Sequence, residues 1–489
     1  MPSRCSRQRH VYQLRPECIA LGGVLIIGDN IRRSRLRNEY HLTAALHRLN
    51  APRPNRHDPS ATLPVDTCNT VACTQSTHRK GTGMAEPAGS NELGLMQGYP
   101  APAEKLVTLE NMRRPPYNRW AFQHIRELTP TVEIWRGDGP IVPLDIAPRD
   151  LDSLPVQLDD GSTYTVADML DIAYADAIVV LHQGRLVYER YRNGMRPHSQ
   201  HQMMSVTKSL VGTLALQLAH EGLIDLNAPV SRYLPELSSC AWTDATVRHA
   251  LDMSTGIAFD EIYDDLQSDI GRYAVAAGFN PPPEGYSGPR NLAEALPTWQ
   301  KRGEHGYAFH YVTPNTDVIG WIIARVSGKP FSQLCSERIW SRLGAERDAY
   351  IIRDQIGMEM TGGGLNATAR DLARFGQMLL QNGSYLGQQI IAPEVVADIH
   401  AGGDQEVFAR GAADWGPLWA NWSYRSFWWY THNAHNAFTG IGIHGQWLYI
   451  DPTAQVVIVQ QSSYPSADQP DADPVTLAAF HAIAQTLRE

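Results

Sequence analysis

Strand-forming segments lie at both ends of the main part of this chain, and helical patterns lie between them. Two β-prone runs, 177–181 and 186–190, are joined by a short turn, and a second pair, 446–450 and 456–460, lies near the C-terminus. Such closely spaced pairs are typical of hairpins. The chain ends in a helical stripe of apolar residues: Phe480, Ile483, Ala484 and Leu487. This order predicts an α+β fold with an antiparallel sheet flanked by helices and built from both ends of the body.

Helical periodicity fills the region between those strands. Residues 210–223 are almost wholly apolar, which indicates a buried helix. Further helices, each followed by a glycine, are predicted at 246–253, 317–326, 331–343 and 371–380. We therefore expect a sheet domain formed by 86–210 and 400–489, with an inserted, mainly helical domain formed by 211–399.

The first 85 residues lack the pattern of a folded domain. Their only apolar stretch, 19–27, is short, contains glycine and is followed by four arginines. Residues 51–90 are rich in Pro, Thr, Ser, Asn and Gly, a composition typical of linkers and disordered tails. We predict that residues 1–85 are a poorly structured N-terminal extension.

Composition argues against several classes of partner. The 489 residues carry a net charge of −9, and Lys/Arg runs are absent beyond the N-terminal segment, so nucleic acid is not an expected partner. A membrane-spanning helix needs about 18 or more consecutive apolar residues, and the sequence has no such run. Cys240 and Cys335 are the only cysteines after residue 85. We therefore expect a cytoplasmic protein.

No metal or cofactor is expected. His432 and His435 have no acidic or cysteine partner at a suitable spacing. The partner that the sequence favours is a small-molecule substrate, and a homodimer is left open.

The chemistry-bearing feature is Ser205-Val-Thr-Lys208, which opens the apolar helix. Side chains at i and i+3 share one face of a helix, so the amine can reach the hydroxyl. Ser205 would lie in the first turn, where free N–H groups stabilise developing negative charge. A lysine at the start of a buried helix is desolvated, which lowers its pKa and favours a base.

The scarcity of lysine supports that interpretation. The chain has only five lysines, against 42 lysines and arginines together. An arginine at position 208 could not lose its proton, whereas a lysine can. The lysine at position 208 therefore indicates a general base and not only a positive charge.

Two further segments complete a hydrolytic site. Tyr311 precedes a predicted helix, and its hydroxyl can relay a proton to a leaving group. The glycine-rich segment 440–445 leads into a strand, where glycines allow close backbone approach to a ligand. The backbone N–H groups of Ser205 and Ile443 are the predicted oxyanion donors.

An aromatic cluster follows the helical region. Eight aromatic residues lie within 16 positions: Trp415, Trp419, Trp422, Tyr424, Phe427, Trp428, Trp429 and Tyr430. They form either a buried loop or the wall of an apolar substrate pocket.

The three elements, in this order, resemble the S-x-x-K, Y-x-N and K-T-G boxes of the serine β-lactamase and penicillin-recognising superfamily, in its class C branch. Segments 251–257 and 363–376 are also similar to that family, and the resemblance covers roughly residues 96–489. Segment 442–447 and the surroundings of Tyr311 resemble the 6-aminohexanoate-dimer (nylon-oligomer) hydrolases and related esterases. The resemblance implies a β-lactamase/transpeptidase-like fold and a serine hydrolase that cleaves amides or esters through an acyl-enzyme.

The resemblance also implies a substrate-binding set, with departures. Thr313 stands where the family usually has Asn, and Asn315 either substitutes for that residue or caps its helix. Gly440 stands at the lysine of the K-T-G box, and Gly442 at its glycine. Tyr263 resembles a tyrosine that the nylon-oligomer hydrolases use near the substrate amide, and a loop tyrosine is the alternative. His444 is placed at the same edge, either as a substrate contact or as a structural histidine.

Three functions are compatible with these residues. The first is a cytoplasmic amidase or esterase. The second is a β-lactamase or D,D-peptidase, which would need export and the missing cation of the K-T-G box. The third is a non-catalytic sensor on the same fold, which the presence of Ser205, Lys208 and Tyr311 disfavours.

Overall fold

The structure is a computed structural model, and it describes residues 86–263 and 265–489. The predicted extension, 1–85, lies outside the described residues. The strands, in chain order, are β1 (Thr131–Ile134), β2 (Pro155–Gln157), β3 (Thr163–Thr165), β4 (Ala175–His182), β5 (Arg185–Tyr191), β6 (His201–Gln202), β7 (Ala349–Ile352), β8 (Leu365–Ala367), β9 (Ser384–Tyr385), β10 (Gln388–Gln389), β11 (Ser423–Arg425), β12 (Trp428–Tyr430), β13 (Phe438–Gly442), β14 (Gln446–Asp451) and β15 (Val456–Ser462).

The α-helices alternate with these strands and are concentrated in the middle of the chain. They are α1 (Asn118–Ala121), α2 (Val166–Ile172), α3 (Val206–His220), α4 (Val230–Tyr233), α5 (Val247–Leu251), α6 (Asp269–Ala276), α7 (Leu292–Ala295), α8 (Pro314–Ser327), α9 (Phe331–Arg338), α10 (Ala369–Leu380), α11 (Pro393–His400), α12 (Gln405–Gly411) and α13 (Ala472–Arg488).

The main sheet joins the two ends of the described chain. Its strand order is β11-β12-β13-β14-β15-β4-β5, and every neighbouring pair is antiparallel. Strand β15 pairs with β4 through a register in which Val459 faces Val179. Both predicted hairpins are present, as β4–β5 and β14–β15. The predicted α+β fold, with a sheet built from both ends, is confirmed.

Apolar cores lie on both faces of this sheet. Helix α13 buries Phe480, Ile483 and Ala484 in one core, as its apolar stripe predicts. Helices α3 and α10 contribute to the other core, together with much of the helical region. Alternate residues of a strand point to opposite faces, so Val459 joins the second core while its neighbour Ile458 joins the first.

Helix α3 is the element that positions the site. Nearly all of its residues from Val206 to Leu218 are buried. It ends at His220, two residues before Gly222 with its φ of 77°, rather than at residue 223 as predicted. A Cβ on Gly212 would lie 2.2 Å from the carbonyl oxygen of Ser426. Glycine there lets α3 pack directly against the backbone beside the aromatic segment.

A second, smaller sheet was not predicted from the sequence. Its strand order is β1-β7-β8-β6, and its strands are two to four residues long. Such short strands carry too little alternation to be recognised by pattern. The sheet matters because β6 leads directly into α3, with the N–H of Met203 bonded to Leu365 at 2.8 Å. The predicted division into a sheet domain and a helical domain stays a prediction.

Candidate active site

Ser205 lies at the turn between β6 and α3. It directly precedes the first residue of α3, and its hydroxyl makes no cap hydrogen bond to the helix. The preceding residue, Met204, has a φ of 46°. A non-glycine residue in this left-handed region is strained, and such strain concentrates at functional sites. The turn therefore exposes the Ser205 hydroxyl instead of using it to cap the helix.

Lys208 reaches that hydroxyl from the next turn of α3. Its Nζ lies 2.7 Å from Ser205 Oγ and 2.5 Å from the carbonyl oxygen of Gly362. The side chain is fully buried. Burial lowers the pKa of Lys208 to about 8, although the charges of Glu261 and Asp317 raise it in part. The amine is thus within hydrogen-bond reach of Ser205 and has a pKa near the working range of a general base.

The two carboxyl groups that affect Lys208 were not predicted from the sequence. Asp317 lies in the first turn of α8 and accepts hydrogen bonds from the Tyr273 hydroxyl at 2.8 Å and the Gly362 N–H at 3.1 Å. Burial raises the pKa of Asp317 to about 6. The Gly362 peptide therefore links Asp317 to Lys208. An acidic residue directly before the apolar pair Val318 and Ile319 was the available signal.

Glu261 is the second of these carboxyl groups, and it organises the loop opposite α3. It accepts hydrogen bonds from the N–H of Thr313 at 2.7 Å, from the Thr313 hydroxyl at 3.1 Å and from the Tyr263 hydroxyl. Removal from water raises the pKa of Glu261, and the charge of Lys208 lowers it. Its sequence signal was weak, because an acidic residue in a loop is usually solvated.

Tyr311 lies three residues before α8 and faces the serine. Its hydroxyl is hydrogen-bonded to the side chains of Ser205 and Tyr424, while desolvation raises its pKa. The Lys208 Nζ lies 5.1 Å from the centre of the Tyr311 ring. The ring stacks on Trp429 with a centroid distance of 5.6 Å. The structure therefore brings Ser205, Lys208 and Tyr311 together, and Tyr424 is a partner that was not predicted.

The glycine-rich edge of β13 comes next to the start of α3. A Cβ on Gly442 would lie 2.6 Å from the carbonyl oxygen of Met203 and 3.0 Å from the Ser205 nitrogen. Only glycine permits this approach. Within residues 86–263 and 265–489, the N–H groups of Ser205 and Ile443 donate to no acceptor. Both groups are available to a substrate atom beside the serine.

A cavity of about 580 Å³ opens at Ser205. Trp415, Trp419 and Trp429 form one wall, and the segment 464–473 forms part of another. Both predicted alternatives therefore apply to the aromatic cluster. These three tryptophans line the pocket, whereas Phe427 and Trp428 are buried in the core.

The charged lining of the cavity is acidic. Among the described residues that line it are Glu261, Asp468 and Asp473, with no lysine, arginine or histidine. Burial and the charge of Asp468 raise the pKa of Asp473 to about 7. In the described part of the chain, the lining of this cavity therefore offers no cation in place of the absent lysine of the K-T-G box.

The remaining predicted residues take different positions. Tyr263 and Gly442 line the cavity. Thr313 directs its hydroxyl to Glu261 and lines only a smaller pocket of about 40 Å³ beside Ser205. Asn315 accepts a hydrogen bond from the Trp242 indole at 2.9 Å and donates one to Thr255 at 3.0 Å. Asn315 therefore stabilises the helical region and does not substitute for Thr313.

His444 does not line the cavity. Its buried ring contacts the carbonyl oxygen of Tyr464 through Nδ1 at 2.8 Å. Burial lowers the pKa of this ring to about 4. The structure therefore corrects the placement of His444 as a substrate contact and favours the structural alternative.

Neither a cluster of metal ligands nor a membrane-spanning helix is present in the described residues. Residues 86–263 and 265–489 contain no group of three or more His, Cys, Asp or Glu side chains arranged to hold a metal ion. No helix in this part of the chain is long and apolar enough to cross a membrane.

This fold, with a serine and a buried lysine at the start of a central helix, defines a hydrolase of the β-lactamase fold. The family model described as Beta-lactamase matches residues 172–482, and the chain belongs to this family.

Similar proteins point to one branch of the family. The chain is 37% identical over 370 residues to the 6-aminohexanoate-dimer hydrolase of Paenarthrobacter ureafaciens, covering 76% of this chain and 91% of that protein. A solved structure named "Putative 6-aminohexanoate-dimer hydrolase from Bacillus anthracis" is 34% identical, with a TM-score of 0.73, and the match covers 79% of this chain and 98% of that one. The hydrolase EstCE1, with 16% identity and a TM-score of 0.51 over 65% of this chain and 96% of its own, shares the fold.

Proposed function

We propose that this hydrolase cleaves linear amides of the 6-aminohexanoate-dimer type, and related esters, through an acyl-enzyme on Ser205. The observation that carries the proposal is the 2.7 Å contact between Lys208 Nζ and Ser205 Oγ at the base of the 580 Å³ cavity. The substrate class comes from the relative that is 37% identical. The aromatic wall supports it, because it suits an apolar chain.

In the proposed first step, Ser205 Oγ attacks the substrate carbonyl and Lys208 in its neutral form accepts the hydroxyl proton. The N–H groups of Ser205 and Ile443 bind the developing oxyanion. Tyr311 donates its proton to the leaving amine or alcohol as the C–N or C–O bond breaks. The hydrogen bond from Tyr424 stabilises the negative charge that remains on the Tyr311 oxygen.

In the second step, water attacks the ester formed with Ser205. The Tyr311 phenolate formed in the first step accepts a proton from that water. The Lys208 ammonium returns its proton to Ser205 Oγ as the bond between the acyl carbon and that oxygen breaks. The same two N–H groups bind the second oxyanion. The carboxylic acid is released, and Lys208 and Tyr311 return to their starting protonation states.

Tyr263 and Gly442 are the proposed substrate-binding residues of the cavity. Tyr263 presents its ring to the cavity while Glu261 holds its hydroxyl. Gly442 permits the part of the substrate around the scissile bond to lie against β13. Thr313 is proposed to act less directly, through its hydrogen bonds to Glu261.

A β-lactamase or D,D-peptidase is the competing function within the family. Such enzymes place a cation at the lysine position of the K-T-G box for the carboxylate beside the β-lactam or the D-Ala-D-Ala bond, and Gly440 stands at that position in this chain. We therefore expect poor turnover of a cephalosporin.

The test is a substrate panel with one covalent readout. The wild type and Ser205→Ala would be assayed with the linear 6-aminohexanoate dimer, a nitrophenyl ester and a chromogenic cephalosporin. Mass spectrometry after acid quenching should show the acyl group of a slow ester on the peptide that contains Ser205. Acylation at another serine, or turnover of the cephalosporin alone, would contradict the proposal.

A cytoplasmic location and a homodimer also remain proposals. Cys240 and Cys335 are buried free thiols in the described part of the chain, which suits a reducing compartment. Cell fractionation tests the location, and light scattering on the purified protein tests the assembly state.

A further inference from the structure

His444 is anchored through its ring to a segment that is distant in sequence. Its Nδ1 lies 2.8 Å from the carbonyl oxygen of Tyr464. A carbonyl oxygen only accepts hydrogen bonds, so Nδ1 carries the proton. The ring also contacts Phe122 edge-on, at a centroid distance of 5.0 Å. This anchor fixes both the tautomer and the orientation of the imidazole.

The backbone of His444 is anchored to the same segment. Its N–H donates to the carbonyl oxygen of Ala467 at 2.8 Å, and its own carbonyl accepts from the N–H of Tyr464 at 3.2 Å. The residue has a φ of 61°, in the left-handed region where histidine is enriched among non-glycine residues. With a further hydrogen bond from Gln446 Nε2 to the His444 carbonyl oxygen at 2.9 Å, four hydrogen bonds hold this strained residue in one place.

The residue before it is Ile443, whose N–H is free beside Ser205. On one side, Gly442 packs against the backbone of Met203 and Ser205. On the other side, His444 is anchored to residues 464–467. Ile443 thus lies between two fixed points, and a shift of residue 444 would displace Ile443 and move its N–H away from the serine.

We propose that His444 is a positioning residue of the oxyanion site, and that its ring holds the Ile443 N–H in line with that of Ser205. This inference rests on the proposed function, because it assumes that the two N–H groups bind the oxyanion. The ring acts without changing its charge. Burial lowers its pKa to about 4, so it stays neutral and takes no part as an acid or a base.

The test compares His444→Leu with His444→Asn. Leucine removes the Nδ1 hydrogen bond and disfavours a positive φ, whereas the amide of asparagine can replace Nδ1–H and asparagine tolerates the left-handed region. Loss of one oxyanion donor costs about 10²–10³-fold in kcat. We expect His444→Leu to lose about tenfold to 10²-fold in kcat with little change in KM, and His444→Asn to recover most of it.

The loss should be equal for the ester and the amide, because both form an oxyanion in the transition state. The matched control is His435→Leu. His435 is also buried, and its Nδ1 lies 2.7 Å from Asp451, outside the cavity lining. We expect His435→Leu to lower the melting temperature and leave kcat unchanged per folded molecule.

The outcomes separate the inference from the proposed function. A normal kcat for His444→Leu in an enzyme that needs Ser205 would overturn the positioning role alone. A change confined to the melting temperature, or to KM, would overturn it equally. If the leucine variant does not fold, His444→Gln replaces it, because its longer side chain displaces the amide from the Nδ1 position. Retained turnover by Ser205→Ala would instead overturn the proposed function.

Discussion

The two sides of the cavity are built from opposite kinds of contact. On the side of α3, Lys208, Asp317 and the Gly362 peptide form a buried polar network with hydrogen bonds of 2.5–3.1 Å. On the other side, Trp415, Trp419 and Trp429 pack ring against ring at centroid distances of 5.3–6.0 Å. Directional hydrogen bonds fix atoms within tenths of an ångström, whereas aromatic packing tolerates different ligand shapes. We infer that the first side determines kcat and the second side determines KM.

The largest expected effect is on the polar side. Ser205→Ala and Lys208→Ala should each lower kcat on the order of 10⁴-fold or more, and the double variant little further, because the two groups act as one unit. Lys208→Arg should fail as well, since a guanidinium cannot give up its proton. Steady-state kinetics with an ester and an amide measures all four variants.

The matched control for the lysine is Lys301→Arg. Lys301 is partly exposed and paired with Asp244 at 2.6 Å, so a change of cation should leave turnover unaltered. Near-normal activity of Lys208→Arg would show that residue 208 supplies charge and is not the base.

The next effect separates amides from esters. Tyr311→Phe should lower kcat about 10²–10³-fold for an amide and clearly less for a nitrophenyl ester, because a nitrophenolate leaves without protonation. The measurement is the ratio of the two losses in parallel assays. Equal losses for both substrates would assign Tyr311 to a step shared by them, such as activation of Ser205.

The aromatic side should respond in KM. Trp419→Ala removes a cavity-lining ring that contacts Trp415 and Trp429. Burial of a large apolar side chain is worth about 1.5–3 kcal/mol, so KM for an apolar substrate should rise roughly tenfold or more while kcat changes little. Trp135→Ala is the control, since Trp135 is 48% exposed and outside the cavity lining. A fall in kcat without a rise in KM would break the comparison between the two sides.

The predictability of the two sides differs for a physical reason. The sequence placed Ser205 and Lys208 on one helix face because their spacing is local, and it indicated the β13 edge because glycines mark close backbone approach. The carboxyl groups of Glu261 and Asp317 come from separate segments, so their contacts depend on tertiary packing that periodicity does not encode. The role of His444 was left between two alternatives for the same reason, because the direction of its ring is set by a carbonyl twenty residues away.

The fold shows the same division. The hairpins β4–β5 and β14–β15 and the stripe of α13 carry clear two-residue or 3.6-residue periods, and each is present. The pairing of β1, β7, β8 and β6 has no such signal, because each strand is only two to four residues long. The pairing of β6 with β8 therefore brings the Gly362 carbonyl to Lys208. Neither of these two short strands shows in its sequence that it pairs with the other.

The smallest expected effect concerns pH and lies wholly on the polar side. With a Lys208 pKa of about 8, kcat/KM should rise tenfold per pH unit below pH 8 and level off above it, since only the neutral amine accepts a proton. The charge of Asp317 raises the Lys208 pKa, so Asp317→Asn should lower that pKa. The limb of the profile then moves to lower pH, and the variant keeps relatively more activity near pH 6. The control is Asp354→Asn. Asp354 is also buried and accepts hydrogen bonds from the N–H groups of Leu292 and Met358. Its replacement should lower the stability of the fold without moving the rising part of the pH profile. A limb that stays at the same pH in Asp317→Asn would show that this carboxyl group does not set the protonation of Lys208.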